Sequence, residues 1–364
     1  MKPRPPLSAK TFTAIGLMSG TSADGVDAAL VKTDGEAKIT VIGGLTLPYE
    51  EDLRYRLLEA SQHDMPTSDL LRLEKDVTQV HADAIALLLK QFPEEGKQAE
   101  VIGFHGHTVR HIPDEGLTCQ IGNAWQLAHA TGIKVVSDFR RNDVAGGGQG
   151  APLAAMFHRA LFDTDEKPIA VLNLGGVANV TWLGEDGALI AGDTGPGCGL
   201  LDEWAQEMAG ISHDADGKLA AAGKVDEALV AEALSAPFFA RPLPKAADRY
   251  DFDHVDVSTL AVEDGAATLC AVTVRAVAGA VARLPKKPKA LWVTGGGVKH
   301  PVIMAMLAEH FDQVRRVEER KLSSETLEAE CFAWLAVRRL RELPITVPET
   351  TGCRQPLCGG TLTL

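Results

Sequence analysis

Residues 16–27 read Gly-Leu-Met-Ser-Gly-Thr-Ser-Ala-Asp-Gly-Val-Asp. An apolar run containing Ile15, Leu17 and Met18 leads into this stretch, and a second run (Val26, Ala28, Ala29, Leu30, Val31) leads out of it. The pattern predicts a strand, a tight glycine turn and a second strand. The turn sets three hydroxyls (Ser19, Thr21, Ser22) and the Asp24 carboxylate among backbone amides that carry no bulky side chain. Gly20 and Gly25 permit positive φ and close approach of the backbone to a ligand. A concave row of N–H groups of this kind binds phosphate. Ser19, Gly20, Thr21, Ser22, Ala23, Asp24, Gly25 and Val26 are therefore expected to form a phosphate-gripping hairpin. A plain polar hairpin is the competing reading, because one glycine motif has low specificity. The chain has no Gly-x-x-x-x-Gly-Lys-Ser/Thr loop, and this turn leads into a strand rather than a helix. That leaves the nucleotide folds that hold phosphate with β-hairpins.

Composition narrows the class further. With 364 residues the chain is long enough for two domains. A net charge of −13 argues against a nonspecific nucleic-acid binder, which needs a basic face. No apolar run in the sequence suggests a bilayer span, and the opening Met1-Lys-Pro-Arg-Pro-Pro lacks the apolar core of a signal peptide, so a cytoplasmic protein with no membrane partner is expected. The six cysteines form no Cys-x-x-Cys pair and read as free thiols. His105, His107 and His111 match no common zinc spacing, so no zinc is expected there.

Strand-like segments fall at 12–18, 26–32 and 38–47, followed by a helix from about Thr67 to Gln91, with Thr67 or Ser68 as its N-cap. A strand at 100–104 then leads into a polar loop, His105 to His111. The middle of the chain repeats the order: a strand at 168–174, a Gly175-Gly176 turn, strands at 179–183 and 188–192, then a helix at about 200–208. Two further glycine clusters occur, at 146–150 and at Gly295, Gly296 and Gly297 after the apolar run Leu291-Trp-Val. A duplicated half suggests two like domains facing one cleft, and such clefts bind ligands. The segment at about 197–262 reads as an insertion on the acceptor side.

This order resembles the sugar-kinase, Hsp70 and actin superfamily. More closely, the chain resembles the anhydro-N-acetylmuramic acid kinase family. The motifs are Gly16-Leu-Met-Ser-Gly-Thr-Ser-x-Asp-Gly-x-Asp27, Gly103-Phe-His-Gly-His-Thr-Val-Arg-His111, Gln120-Ile-Gly-Asn123, Asp138-Phe-Arg-Arg-x-Asp143 with Gly147-Gly-Gln-Gly-Ala-Pro-Leu153, Leu172-Asn-Leu-Gly-Gly176, Asp193-x-Gly-Pro-Gly197 and Gly295-Gly-Gly297. Two positions depart from the family: Cys198 stands where Asn is usual, and Gly192 where Phe often precedes the aspartate.

The resemblance implies an α/β fold of two actin-like (ribonuclease H-like) domains flanking a nucleotide and substrate cleft. The first would comprise residues 1–135 plus about 337–364, and the second residues 136–336. It implies ATP and Mg²⁺ as cofactors, an amino sugar as substrate and a homodimer. It also implies a reaction in which water opens the 1,6-anhydro ring while O6 takes the γ-phosphate, in cell-wall recycling. Asp193 would be the general base, which must be ionised and within reach of water; a turn carboxylate is the alternative. Arg140 would pair with the substrate carboxylate, since guanidinium binds carboxylate bidentately. His105, Gly197 and Glu328 would complete the sugar site. Gly175, Gly176 and Gly295–Gly297 would face the nucleotide with the first hairpin, and Asp24 is the candidate for the ion's water shell. The rival readings are an ordinary hydroxyl-accepting sugar kinase, a glycoside hydrolase using Asp193 and Glu328, and a noncatalytic nucleotide switch.

Overall fold

The chain is described by a computed structural model over residues 10–364. The opening Met1-Lys-Pro-Arg-Pro-Pro segment lies outside the described residues. β1 (Phe12–Ser19), β2 (Gly25–Thr33) and β3 (Ile39–Pro48) form an antiparallel meander. β4 (Ala99–Ile112) returns parallel to β1, β5 (Leu117–Ile121) folds back on it, and β6 (Lys134–Ser137) runs parallel to β4. A second sheet starts with the meander β7 (Ile169–Leu174), β8 (Val177–Leu183) and β9 (Leu189–Pro196). β10 (Leu291–Thr294) lies parallel to β7, and β11 (Val314–Arg316) parallel to β10. The chain ends with β12 (Thr361–Thr363) on the edge of the first sheet, beside β6.

The two sheets thus share one topology. The strand orders are β12-β6-β4-β1-β2-β3 and β11-β10-β7-β8-β9, so each has a three-strand meander whose first strand pairs with a parallel crossover strand. This is the duplication expected from the repeated strand, glycine turn and strand, and it agrees with the actin-like fold that the resemblance implies.

The apolar sequence explains the layering. β1 is buried on both faces, as a central strand must be. Its Ile15 and Leu17 pack outward against the helices Glu51–Gln62 and Thr67–Gln91, whose Leu53, Leu57, Leu73, Val77, Ile85 and Leu88 form buried stripes. Its Ala14 and Met18 face inward, to a core shared with Val171, Ala191 and Trp292 of the second sheet and with the Leu327–Leu340 helix. That helix lies directly on the first sheet because two strand residues lack side chains. A Cβ at Gly16 would sit 1.7 Å from the Ala329 carbonyl, and one at Gly103 would sit 2.0 Å from that of Phe332. The outer face of the second sheet is covered by the helices Gly199–Ala209, Val262–Val281 and Pro301–His310.

Several sequence expectations shift. β4 continues through the expected polar loop to Ile112, so His105, His107 and His111 are strand residues. The Thr67–Gln91 helix is capped by Pro66 with no side-chain bond from Thr67 or Ser68. The boundaries drawn at 135/136 and near 337 fall inside β6 and inside the Leu327–Leu340 helix, and both elements pack on the first sheet. The Val262–Val281 helix is long and apolar enough to cross a membrane by length and composition, contrary to the reading that no such segment exists. It is a core helix here, with Leu269, Val274 and Val277 buried against the second sheet.

Candidate active site between the two sheets

In both halves the turns of interest follow the carboxyl ends of strands. Residues 20–24 follow β1, Gly175 and Gly176 follow β7, and Gly295 follows β10. This is where ligands bind in sheets of this kind. The two hairpin turns face each other: a Cβ at Gly176 would stand 3.3 Å from Thr21 Oγ1. Gly20 opens onto space: a Cβ built there would find Ser22 Oγ nearest, at 3.7 Å.

The hairpin residues divide by role. Neither Gly20 nor Gly25 uses the positive φ that glycine permits; the left-handed residue of this turn is Ala23, at φ 53°. Gly25 is glycine because a side chain would meet the Leu47 carbonyl at 2.5 Å. Ser19 points away from the cleft into the outer core. Its Oγ accepts from the Tyr49 hydroxyl at 2.9 Å and lies 2.9 Å from His107 Nδ1. Val26 is likewise buried in that core. Thr21 and Ser22 are half-buried in the turn. Asp24 is exposed and lies 3.7 Å from the Arg54 guanidinium. Among the described residues no set of three His, Cys, Asp or Glu side chains converges on a metal. The three histidines of β4 hold other partners instead: Arg140, Ser19 and Thr118.

The second hairpin is tied down from behind. The Gly175 carbonyl accepts from Cys198 N–H at 2.7 Å, and the Gly176 carbonyl accepts from Gly197 N–H at 3.0 Å. Gly197 is glycine because a Cβ would lie 2.1 Å from the Gly175 carbonyl, which places it in this knot. Gly295 is left-handed at φ 83°, where L side chains are strained. A Cβ on Gly297 would meet Cys198 Sγ at 2.7 Å, so Cys198 acts as packing beneath the glycine turn. Burial pushes its thiol up to about 12, which keeps it neutral.

Above the shared core, the inner faces of both sheets turn polar. The register aligns Thr294, Asn173, Asn179 and Asp193 across β10, β7, β8 and β9. Cross-strand partners share a face, so these four form a polar row. Opposite stand Asp27 of β2, on the same face as Ala29 and Val31, and Arg140 just after β6. Glu328 at the head of the Leu327–Leu340 helix joins the two sides, accepting from the Asn173 side-chain amide at 3.3 Å.

Arg140 is the hub. Its Nε donates to His105 Nε2 at 3.0 Å, and its Nη1 donates to the Gly150 carbonyl at 2.9 Å. Because Nε2 accepts, the His105 proton sits on Nδ1 and donates to the Gly106 carbonyl at 2.9 Å. Burial, then the Arg140 charge, keep His105 neutral. Burial lowers Arg140 itself, opposed by the charges of Glu328, Asp193 and Asp143. Asp193 is buried, and its Oδ2 accepts from Ala247 N–H at 2.9 Å. Burial pushes its carboxyl up to about 7, against the Ala247 bond and the Arg140 and Lys245 charges. Burial raises Glu328, and Arg140 opposes it. Asp27 also stands at about 7, raised by burial against a 2.5 Å bond from Thr46 Oγ1. One cleft therefore holds two carboxyls, Asp193 and Asp27, poised between charged and neutral beside one permanent cation, which suits proton transfer.

Asp193, Arg140, His105 and Glu328 come together. Asp27, Asn173, Asn179 and Thr294 were not assigned from the sequence. Their signal was register: each sits within three residues of a glycine turn, on the inward side of its strand.

The family model described as Anhydro-N-acetylmuramic acid kinase matches residues 12–364. A protein of that name from Acidiphilium cryptum is 49% identical over 355 residues, covering 95% of this chain and 97% of its own length. Another, from Rhodopseudomonas palustris, is 46% identical over 362 residues, covering 96% and 99%. Among solved structures, a ROK family glucokinase from Streptomyces griseus in complex with glucose and AMPPNP is 12% identical with a TM-score of 0.42, over 89% of this chain and 99% of that one. At that score the likeness is distant, and the fold rests on the strand order given above.

Proposed function

Because the chain belongs to the anhydro-N-acetylmuramic acid kinase family, and is thus an ATP-dependent sugar phosphotransferase, we propose that it couples hydrolytic opening of 1,6-anhydro-N-acetylmuramic acid to phosphorylation at O6. The observation that supports this reading most is the buried Asp193 carboxyl, tuned to about 7 and set across the cleft from Arg140. A base of that strength is half-ionised near neutral pH and suited to taking a proton from water.

The water oxygen bonds to C1 while the C1–O6 bond breaks. O6 takes the γ-phosphoryl group, ADP leaves, and the proton lost by water passes to Asp193. Arg140 binds the sugar's lactyl carboxylate, with His105 fixing the guanidinium plane. Glu328 and Asn173 orient the sugar hydroxyls from opposite walls. The amides of 20–24 and of Gly175–Gly176 hold the phosphates from two sides, and the turn at Gly295–Gly297 lies by the adenosine. Phosphoryl transfer needs mainly this positioning and charge neutralisation.

Mg²⁺ fits as an ion carried by the phosphates rather than caged by protein, since among the described residues no set of three His, Cys, Asp or Glu side chains converges. Asp24, exposed at the turn, is positioned to hold its water shell. The same reading places the protein in the cytoplasm, in cell-wall sugar recycling, as a homodimer that sedimentation would test.

Incubation with ATP, Mg²⁺ and the anhydro-sugar tests the reading by product mass. Gain of one phosphoryl group and one water supports it. Gain of the phosphoryl group alone indicates an ordinary hydroxyl-accepting kinase, and gain of water alone a hydrolase.

A further inference from the structure

β9 is the edge strand of the second sheet, and its outer edge at Asp193 is covered by a short strap from the 197–262 segment. Asp193 N–H donates to the Lys245 carbonyl at 2.7 Å, and Ala247 N–H donates back to Asp193 Oδ2 at 2.9 Å. The strap fits only because residue 192 has no side chain. A Cβ on Gly192 would lie 2.9 Å from both Lys245 N and Lys245 O, and 2.8 Å from Leu243 Cδ2. Two of these three contacts are backbone, so a side chain would displace the strap rather than a rotamer.

Lys245 is buried to 1% exposure, an unusual place for a lysine. Its ammonium donates to the Phe238 carbonyl at 2.7 Å and lies 3.9 Å from the centre of the Phe238 ring. Neither partner carries a negative charge.

We propose that Lys245–Ala247 is a positioning strap for the proposed base: the Lys245 carbonyl and the Ala247 N–H hold the Asp193 backbone and carboxylate, the Lys245 ammonium anchors the strap on Phe238, and Gly192 is the residue that admits it. The proposal rests on the assignment of Asp193 as base. The charged groups acting on Asp193 are Arg140 from the first sheet, Lys245 from the strap and Asp251 beyond it. Arg140 and Lys245 favour the ionised carboxylate, and Asp251 opposes it. Lys245 in turn feels Arg283 and Arg241, and burial and these neighbours bring it down to about 8.

The test is a carboxyl-carbon NMR titration of protein labelled at aspartate, with Asp193→Asn assigning the resonance. Lys245→Met is expected to raise the Asp193 midpoint by about 0.5 pH unit or more, and Lys245→Arg to leave it near wild type. The rise follows if loss of the Lys245 anchor loosens the Ala247 bond to the carboxylate, and an unmoved midpoint in folded Lys245→Met would overturn the anchoring role. Gly192→Ala forms the second arm. Turnover is expected to fall at least about tenfold, with ATP affinity within about twofold of wild type and an unchanged circular dichroism spectrum. Wild-type turnover in Gly192→Ala would overturn the positioning role. If the wild-type enzyme itself does not act on the anhydro-sugar, the functional reading fails while the titration still decides the strap.

Discussion

The Asn173 side chain, on the first strand of the second sheet, donates to Glu328, on the helix that lies against the first sheet, at 3.3 Å. This bond joins the two walls of the cleft at the level of the polar row. Burial raises the Glu328 carboxyl, so an amide donor beside it helps to keep it ionised. Asn173→Ala removes that donor and leaves Glu328 less well fixed. We expect the KM for the sugar to rise about tenfold while ATP affinity holds, as steady-state kinetics and calorimetry would show.

The first hairpin gives a cleaner separation of binding from folding. A Cβ built on Gly20 would meet nothing closer than Ser22 Oγ at 3.7 Å, so a side chain fits the free protein but takes up space at the proposed phosphate turn. Gly20→Val is expected to keep its melting temperature within about 2 °C and to lose at least tenfold in ATP affinity by calorimetry. Unchanged affinity would remove this turn from the phosphate site.

Asp193 makes two linked predictions. Its carboxyl at about 7 must be ionised to act as a base, so kcat/KM should fall with an acid limb near pH 7. Asp193→Asn keeps the shape and loses the basicity. Turnover should fall by about 10²–10⁴-fold, or roughly 3–5 kcal/mol of barrier, while both substrates still bind. A variant keeping more than about a tenth of wild-type turnover would make Asp193 a turn residue.

His158 tests the electrostatics of the core between the sheets. Its Nδ1 lies 2.9 Å from Thr181 Oγ1, and burial lowers its imidazole to about 4. An unfolded histidine titrates near 6.5, so below that pH the unfolded chain takes a proton that the folded chain refuses. His158 therefore disfavours the folded state progressively as the pH falls through 6.5. Relative to wild type, His158→Gln should gain about 2 kcal/mol of stability between pH 7 and pH 5 in denaturant unfolding. A constant difference across that range would contradict the buried neutral state.

The fold was largely legible because its signals are periodic and local. The Thr67–Gln91 helix and the β1–β2–β3 meander read directly from apolar spacing. The Glu51–Gln62 helix did not, because its polar face dominates a short sequence and only Leu53, Leu57 and Ala60 are buried. β4 ran past its expected end because the histidines that read as loop are satisfied by partners distant in sequence. In the site, Asp193 and Arg140 were named through the family resemblance, their residue types alone leaving a turn carboxylate and a surface ion pair open. Asn173, Asn179 and Thr294 became visible only through register, which links strands from residues 173 to 294. Gly192 and Cys198 looked like lapses from a family pattern; each is explained by a neighbour far away in sequence, Lys245 and Gly297.

The most direct test of the coupled reaction is to run it in ¹⁸O-water with ATP, Mg²⁺ and the anhydro-sugar, and to locate the label by mass spectrometry. The expected product is a sugar 6-phosphate with one heavy oxygen at C1 and none in its phosphate. An unlabelled sugar phosphate, or label appearing in inorganic phosphate, would contradict water attack at C1.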